Sequence, residues 1–322
     1  MAGKAKSRIV NDQLVMGRVT VEFQRTLRIP ETGLHPLPPG LGRFPLRRVE
    51  DYPDTAPAEW LARGGVMLPI YQREAMWLSF DASEPAALQV GVGKVCAVSG
   101  LPWIEHLVKD PQNYVVLPDQ PWLDGINAGD GFIRQFVAVP LGSGATVEGQ
   151  VTGQETHGGV QLRAVGLTEQ ALAAWHTRPD VCEEDMICAG PPAPGSAGMG
   201  LGAGGRMRQE VYADDRPLAD YDETGAQRVF VHLCSAAQWT AITGEVPPPT
   251  PVDRDAYVEA GLPWFDYYNA DAHDLEPSAT LAKVKTVGQK LGAEDDPFVP
   301  IDPNIVIKLG DVSSDTVTDG KW

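Results

Sequence analysis

Glycine and proline interrupt this sequence along its whole length and limit what it can fold into more than any other feature. There are 34 glycines and 28 prolines among 322 residues, and they recur without a period. The lack of a period excludes a collagen-like chain, and the frequent interruptions favour short strands joined by turns. We therefore predict a mainly β fold, a sandwich or jelly-roll-like arrangement of antiparallel sheets with a few short helices, and an α+β second half.

Alternation of apolar and polar residues marks individual strands. It runs through residues 19–23 and 229–233, and period two predicts a strand with one face in the core. Residues 147–151 and 160–164 alternate in the same way around a glycine-containing segment, which predicts an antiparallel hairpin. The polar face of this hairpin would carry Glu148, Gln150, Gln161 and Arg163. Further along, Thr168 precedes an apolar helical pattern and is predicted to cap a short helix.

A run of glycine, proline, alanine and serine covers residues 190–205 and has no side chains able to bury a core. It predicts a flexible linker or long loop. The linker would separate a β-rich region with a basic N-terminal arm, residues 1–189, from a smaller, irregular β/α region, residues 206–322. Glycines in this run match the spacing of a dinucleotide-binding loop. That motif requires a strand before it and a helix after it, and the preceding prolines favour a linker instead.

Charge is distributed unevenly along the chain. The net charge of −17 argues against a nucleic-acid partner, because phosphate binding depends on clustered Lys and Arg. Residues 1–50 nevertheless carry nine Lys or Arg against four Asp or Glu, a local charge of +5. Such a segment could dock on the acidic body of a second copy, so we predict a homo-oligomer in which residues 1–28 bridge subunits. The alternative is that the arm folds back and completes its own sheet.

The N-terminal residues do not resemble a signal peptide, since Asn11, Asp12 and Gln13 interrupt any apolar stretch. No run approaches the roughly 18–20 apolar residues of a membrane span. Four cysteines in a chain of this length favour reduced thiols over a disulfide framework. We therefore expect a cytoplasmic protein with no membrane partner.

Residues 119–130 hold the densest set of candidate functional residues, with three aspartates, two glycines and a Pro-Trp step. Loops of this composition beside a polar sheet face are frequent sites of binding and catalysis. Carboxylates with an imidazole can act in general acid–base catalysis, and a tryptophan can stack on a sugar. The candidate catalytic residues are Asp124, Asp130, Glu148 and His157. The candidate residues for binding a small polar ligand are Trp122, Arg134, Gln135, Gln150, Gln161 and Arg163.

A structural interpretation of the same residues is favoured, because no pair has a diagnostic spacing. In this interpretation the aspartates form Asx-turns, Trp122 fills the core, and Arg134 pairs with Glu148 across the sheet. Pro-Trp steps at Trp103, Trp122 and Trp264 could form an aromatic platform for a ligand or partner, or could equally anchor loops.

Cysteine and histidine spacing does not favour a metal site. Cys182, Cys188, His232 and Cys234 could supply four zinc ligands, but their spacings fit no usual zinc motif. We expect no metal and no cofactor. The sequence favours a binding or assembly protein that self-associates. The alternative is a hydrolase or lyase acting through carboxylates and His157 on a small polar or carbohydrate-like substrate. A metal-dependent cupin-like enzyme is less favoured, since the first half has no H-x-H.

Overall fold

The computed structural model describes residues 7–29, 31, 34–35, 38, 40–129, 132–177, 199–249, 275, 278–291 and 320. The strands formed by these residues are β1 (Arg8–Val10), β2 (Gln13–Met16), β3 (Val19–Thr26), β4 (Leu34–His35), β5 (Gly40–Arg43), β6 (Arg47–Arg48), β7 (Val66–Pro69), β8 (Ala75–Ala82), β9 (Ala86–Val92), β10 (Val95–Cys96), β11 (Val115–Leu117), β12 (Trp122–Leu123), β13 (Gly125–Gly129), β14 (Phe132–Pro140), β15 (Val160–Gly166), β16 (Met199–Arg208) and β17 (Gln227–Cys234). The α-helices are α1 (Ala58–Arg63), α2 (Val147–Thr152), α3 (Glu169–His176), α4 (Ala236–Thr243) and α5 (Val287–Leu291). Short 3-10 helices lie at Val49–Asp51, Leu218–Asp220, Glu223–Gly225 and Leu281–Lys283.

Strand pairing is mostly antiparallel and forms two groups of strands. In the first sheet β1, β2, β3, β8, β14 and β16 follow one another, and β4, β5, β12 and β13 pair along them. In the second sheet the order is β6, β7, β17, β15 and β9, and both β10 and β11 pair with β9. One residue pair, Met199 with Leu233, joins the two sheets.

The main hydrophobic cluster draws side chains from both sheets, which therefore face each other across it as in a sandwich. Phe23 and Leu78 come from the first sheet and Val90, Leu162 and Val231 from the second, and all five are fully buried. Burying each such side chain stabilises the fold by about 1.5–3 kcal/mol. The mainly β fold that the sequence predicted is confirmed.

Two local predictions are confirmed in detail. The period-two segments at residues 19–23 and 229–233 lie in β3 and β17, whose apolar positions point into the main cluster. Thr168 caps α3, and its hydroxyl accepts a hydrogen bond from the backbone N–H of Ala171 at 3.3 Å. None of the described helices combines the length and the apolar character needed to cross a membrane.

The predicted hairpin over residues 147–164 is wrong in its first half. Residues 147–152 form the helix α2, which Thr146 caps by accepting from the N–H of Gly149 at 2.9 Å and which ends at Gly153 with a φ of 77°. A short helix with a threonine cap and a left-handed glycine end satisfies some of its own terminal groups, and this overrides the period-two pattern. The second half is a strand as predicted, but β15 pairs with β9 and β17.

The predicted linker is corrected where the structure describes it. Residues 199–205 form part of β16, which pairs antiparallel with β14. The glycines permit a close approach: a Cβ on Gly202 would lie 2.7 Å from a methyl carbon of Val287, and one on Gly204 would lie 2.6 Å from a methyl carbon of Val137. Such contacts explain glycine inside a strand. Residues 190–198 lie outside the described part of the chain.

The basic N-terminal segment folds into its own sheet from residue 8 onward. β3 has partners on both sides, because it pairs with β2 and β5 on one side and with β8 on the other. Its charges also meet partners within the chain. Arg25 bonds to the buried carboxylate of Glu74 at 2.6 Å, and Arg47 bonds to Glu245 at 2.7 Å. The intramolecular alternative therefore describes residues 8–26.

Candidate functional site

In the segment at residues 119–130, the part up to residue 129 forms β12 and β13, and its central aspartate is buried. Asp124 is 2% exposed, and its carboxylate accepts from the side-chain amide of Gln209 at 2.9 Å. The amide oxygen of Gln209 accepts in turn from the backbone N–H of Asp124 at 2.9 Å. Burial raises the pKa of Asp124 to about 7, although the hydrogen bonds from Gln209 and Trp122 lower it. These contacts tie Asp124, which lies between β12 and β13, to the residue that follows β16.

Gly125 follows Asp124 and lies at a close approach of two paired strands. A Cβ at Gly125 would lie 1.9 Å from the carbonyl oxygen of Arg134, so β13 and β14 are too close there for any side chain. Nearby, Asn127 Oδ1 accepts from the N–H of Gly129 at 2.9 Å and forms an Asx-type turn. An asparagine of this segment thus forms the kind of turn that the sequence predicts for its aspartates. Asp130 lies outside the described residues.

Among the catalytic candidates Asp124, Glu148 and His157, the structure brings Glu148 and His157 together. His157 Nδ1 lies 3.0 Å from the carboxylate of Glu148, and the His157 side chain is 37% exposed. The Glu148 side chain is 3% exposed and accepts from the backbone N–H groups of His157 at 2.9 Å and Gly158 at 2.8 Å. This carboxylate therefore fixes the loop after α2. Glu148 is thus buried on a helix and does not lie on the polar face of a hairpin.

The expected pair between Arg134 and Glu148 does not form. Arg134 Nη1 donates to the carbonyl oxygen of Val284 at 2.6 Å, while Glu148 is occupied by the His157 loop. The reason is that the partner strand predicted for residues 147–151 is the helix α2, so Glu148 does not lie across a sheet from Arg134.

Two glutamines proposed as ligand-binding residues hold separate chain segments together. Gln135 is fully buried and accepts from the N–H of Ile29 at 3.1 Å. Gln150 accepts from the N–H of Lys285 at 2.7 Å and donates to its carbonyl oxygen at 3.0 Å. Both side chains thus satisfy backbone groups that no strand partner satisfies.

The remaining two candidates on β15 are buried as well. Gln161 accepts from the N–H of Lys94 at 2.8 Å. Arg163 donates to Gln89 at 2.9 Å and forms an ion pair with Glu223. Both side chains are covered by other parts of the chain, since Gln161 is 0% and Arg163 5% exposed. Period two places these side chains on one face correctly, but it does not reveal that other segments cover that face.

A polar and aromatic surface that the sequence analysis did not assemble lies on the outer side of the first sheet. We call it the indole face, and its residues are Glu22, Gln24, Trp77, Ser79 and Trp122. Strand register places Glu22 opposite Ser79 and Gln24 opposite Trp77, and Ser79 is in turn opposite Trp122. The two indole rings meet edge to face, with ring centroids 6.4 Å apart. The core role expected for Trp122 holds in part, since it packs against a small buried cluster.

Glu22 is the charged centre of the indole face. Its carboxylate accepts from Gln24 at 2.6 Å and from Ser79 at 3.4 Å, and it pairs with Arg43 at 2.7 Å. Burial raises its pKa, but Arg43, Gln13 and Gln24 more than offset this and hold the pKa of Glu22 below its usual value. The signal in the sequence was the period-two pattern of β3 and β8, which puts these residues on one side.

The cleft between β2, β9 and β15 lies away from the candidate site residues. It has a volume of about 150 Å³, and its charged and polar lining residues are Arg18, Glu84, Asp222 and Gln227. Ligand pockets in proteins generally have volumes of about 300–1,000 Å³. This cleft is therefore too small to enclose an ordinary organic substrate.

Metal-ligating side chains do not cluster within the described ranges, where no three of His, Cys, Asp and Glu come together in a metal-binding arrangement. His232 Nε2 lies 2.9 Å from the carbonyl oxygen of Gly64, and burial lowers the pKa of His232 to about 3. Cys234 is buried nearby in a hydrophobic cluster. Cys182 and Cys188 lie outside the described residues.

Comparison of the chain with protein-family models, with curated proteins and with solved structures found no match in any of the three.

Proposed function

We propose that this protein is a binding protein that uses its β-scaffold to present the indole face to a carbohydrate-like ligand. One observation carries the proposal: two partly exposed indoles, Trp77 and Trp122, meet edge to face beside the charged carboxylate of Glu22. Indole rings stack on the apolar face of a sugar, and carboxylate and amide groups bind its hydroxyls. A flat sheet face can hold such a ligand without an enclosing pocket.

Unmet hydrogen-bonding groups on the indole face support this proposal. Gln24 Oε1 and Trp77 Nε1 are buried and have no partner among the described residues. Both side chains lie against Gly40, where a Cβ would be 3.2 Å from Gln24 Oε1 and 3.2 Å from Trp77 Cζ2. A hydroxyl group, which donates and accepts, can satisfy both an acceptor and a donor, and it reaches these two buried atoms when one of the side chains rotates outward.

The alternative proposal, a hydrolase or lyase, has weaker support from the candidate residues. Asp124 and Glu148 use their carboxylate oxygens to hold backbone and amide groups, so neither is available to activate a water molecule. We also propose a cytoplasmic location, because the buried free thiols of Cys96 and Cys234 agree with a reducing compartment.

Binding of neutral oligosaccharides tests the proposal. Maltohexaose, cellohexaose and chitohexaose would be titrated by calorimetry against the full chain and against Trp77→Ala. We expect one of them to bind and Trp77→Ala to weaken it about tenfold, equivalent to roughly 1.4 kcal/mol. Trp175→Ala is the matched control, since Trp175 is partly exposed on α3. The proposal would be contradicted if none of the three sugars binds, or if Trp77→Ala and Trp175→Ala bind with equal affinity.

Self-association is a second proposal, supported by the open edge of the first sheet. β1 pairs with β2 on one side, and no other described strand pairs with its outer side. An open edge can accept a strand from a second copy. Light scattering should then give a mass above the 34.7 kDa of one chain, and deletion of residues 1–10 should reduce the number of copies per particle. Deletion of residues 1–6 keeps β1 and should leave the number of copies unchanged. A mass of 34.7 kDa at high protein concentration would contradict this proposal.

A further inference from the structure

Two arginines face each other across neighbouring strands of the first sheet. The register of β14 and β16 places Arg134 directly opposite Arg206. Like charges in directly opposed positions destabilise a sheet. Phe132 lies two residues before Arg134 and so on the same side of β14, and the Arg206 guanidinium lies over its ring, 4.5 Å from the centroid. The strands therefore hold two cations on one side, in a chain with a net charge of −17.

Neither guanidinium is neutralised within the described part of the chain. Arg134 Nη1 donates to the Val284 carbonyl at 2.6 Å, while its Nε is buried with no acceptor there. Arg206 is exposed and has no described carboxylate within 4.0 Å. Burial, together with the charge of Arg206, lowers the pKa of Arg134, which reflects the cost of keeping this cation charged.

Among the described residues around Arg134, the charged side chains are mainly positive. Lys283 and Lys285 flank Val284 in sequence, and both are exposed. Glu31 is the carboxylate that favours the charged form of Arg134. It is already engaged, because it accepts from the N–H of Gly288 at 2.7 Å and from the hydroxyl of Thr286. The surface around Arg134 and Arg206 therefore keeps guanidinium donors without a described acceptor and an excess of positive charge among the described residues.

We propose that Arg134 and Arg206 bind a small oxyanion, a phosphate or carboxylate group, that bridges the two guanidinium groups. Each guanidinium offers parallel N–H donors that match two oxygens of such a group. Bound between them, the anion removes the repulsion that the strand register imposes. The site lies on the opposite side of β14 from Ile133, which belongs to the cluster beneath Trp122, so it is separate from the indole face.

Anion binding to the full chain tests this proposal. Thermal unfolding would be followed as inorganic phosphate replaces chloride at constant ionic strength, with succinate in a second series to distinguish phosphate from carboxylate ligands. We expect at least one of the two anions to raise the Tm beyond chloride. Arg206→Gln should lower the affinity for that anion, read from the anion concentration needed to raise the Tm, about tenfold or more, as expected for the loss of a charge-assisted contact. Arg18→Gln removes an exposed arginine elsewhere and is the matched control.

A second readout separates binding from a folding defect. Without added phosphate or succinate, Arg206→Gln should unfold at the same temperature as the native chain or higher, because the repulsion with Arg134 is relieved. Arg134→Lys keeps the charge but removes the paired donors, and should also reduce the anion effect. The proposal is overturned if neither anion stabilises the native chain beyond chloride, or if Arg206→Gln and Arg18→Gln respond alike.

Discussion

Replacing Asp124 by asparagine tests whether burial of this carboxyl group makes the stability of the protein depend on pH. The pKa of Asp124 is raised from 3.8 to about 7 in the folded chain, chiefly by burial. Between these two values the folded state retains a proton that the unfolded state has lost. The free energy of unfolding therefore decreases as the pH rises from about 4 to 7. The stability that the protonated carboxyl group contributes is lost as the pH rises through about 7.

The size of this effect follows from the shift. One pKa unit corresponds to about 1.36 kcal/mol, so a shift of about three units sets an upper limit of about 4 kcal/mol. An asparagine is neutral at every pH and removes this dependence. Its oxygen can accept one hydrogen bond, but its amide NH₂ meets the second donor, since both Gln209 and Trp122 donate to Asp124. That mismatch destabilises the variant by about 1–3 kcal/mol at every pH.

Urea unfolding at pH 5, 6, 7 and 8 measures both parts. We expect Asp124→Asn to be less stable than the native chain at pH 5 and to recover relative to it by pH 8. The gain across this range should approach a few kcal/mol, within the limit of about 4 kcal/mol. Asp81→Asn makes the same change at an exposed position on β8 and is the control. Stability curves for Asp124→Asn and the native chain that run parallel from pH 5 to 8 would refute the reasoning.

Further variants test the structural roles of buried groups, the first two by urea unfolding. Glu148→Gln should destabilise by about 1–3 kcal/mol, because the new amide NH₂ faces backbone donors; no loss would contradict the loop-anchoring role. Arg25→Ala should destabilise by about 3–5 kcal/mol, because it leaves Glu74, which is 1% exposed, as an unpaired buried charge. Gly125→Ala should yield little folded protein by circular dichroism, whereas Gly166→Ala, with nothing within 4 Å of the new Cβ, should fold normally.

Three patterns that depend on near neighbours in sequence were predicted correctly. Residues 19–23 and 229–233 form strands because alternating side chains must enter the core from one face. Thr168 begins a helix because its hydroxyl satisfies an N–H three residues away. Where two local signals competed, at residues 147–152, the cap and the terminal glycine prevailed over the alternation.

The candidate site could be predicted only as a set of residues, since its chemistry depends on partners distant in the chain. Asp124 bonds to Gln209, and Arg163 pairs with Glu223, and these partners are 85 and 60 positions away. No local spacing encodes such contacts. The sequence therefore placed Gln161 and Arg163 on the strand that carries them, but it placed Glu148 and Gln150 on a strand where the structure has a helix. It could not show which of these side chains other segments would bury.

The sequence by itself determined the class of fold, because the turn residues and the period of the side chains are local properties. The tertiary structure alone decided which glycine-rich segment becomes a strand and which like charges are opposed. Gly204 lies within van der Waals reach of Val137, and Arg134 faces Arg206, because β14 and β16 pair across a gap in sequence of about 60 residues. Register between distant strands depends on the packing of the whole core, and that packing is what brings these residues together.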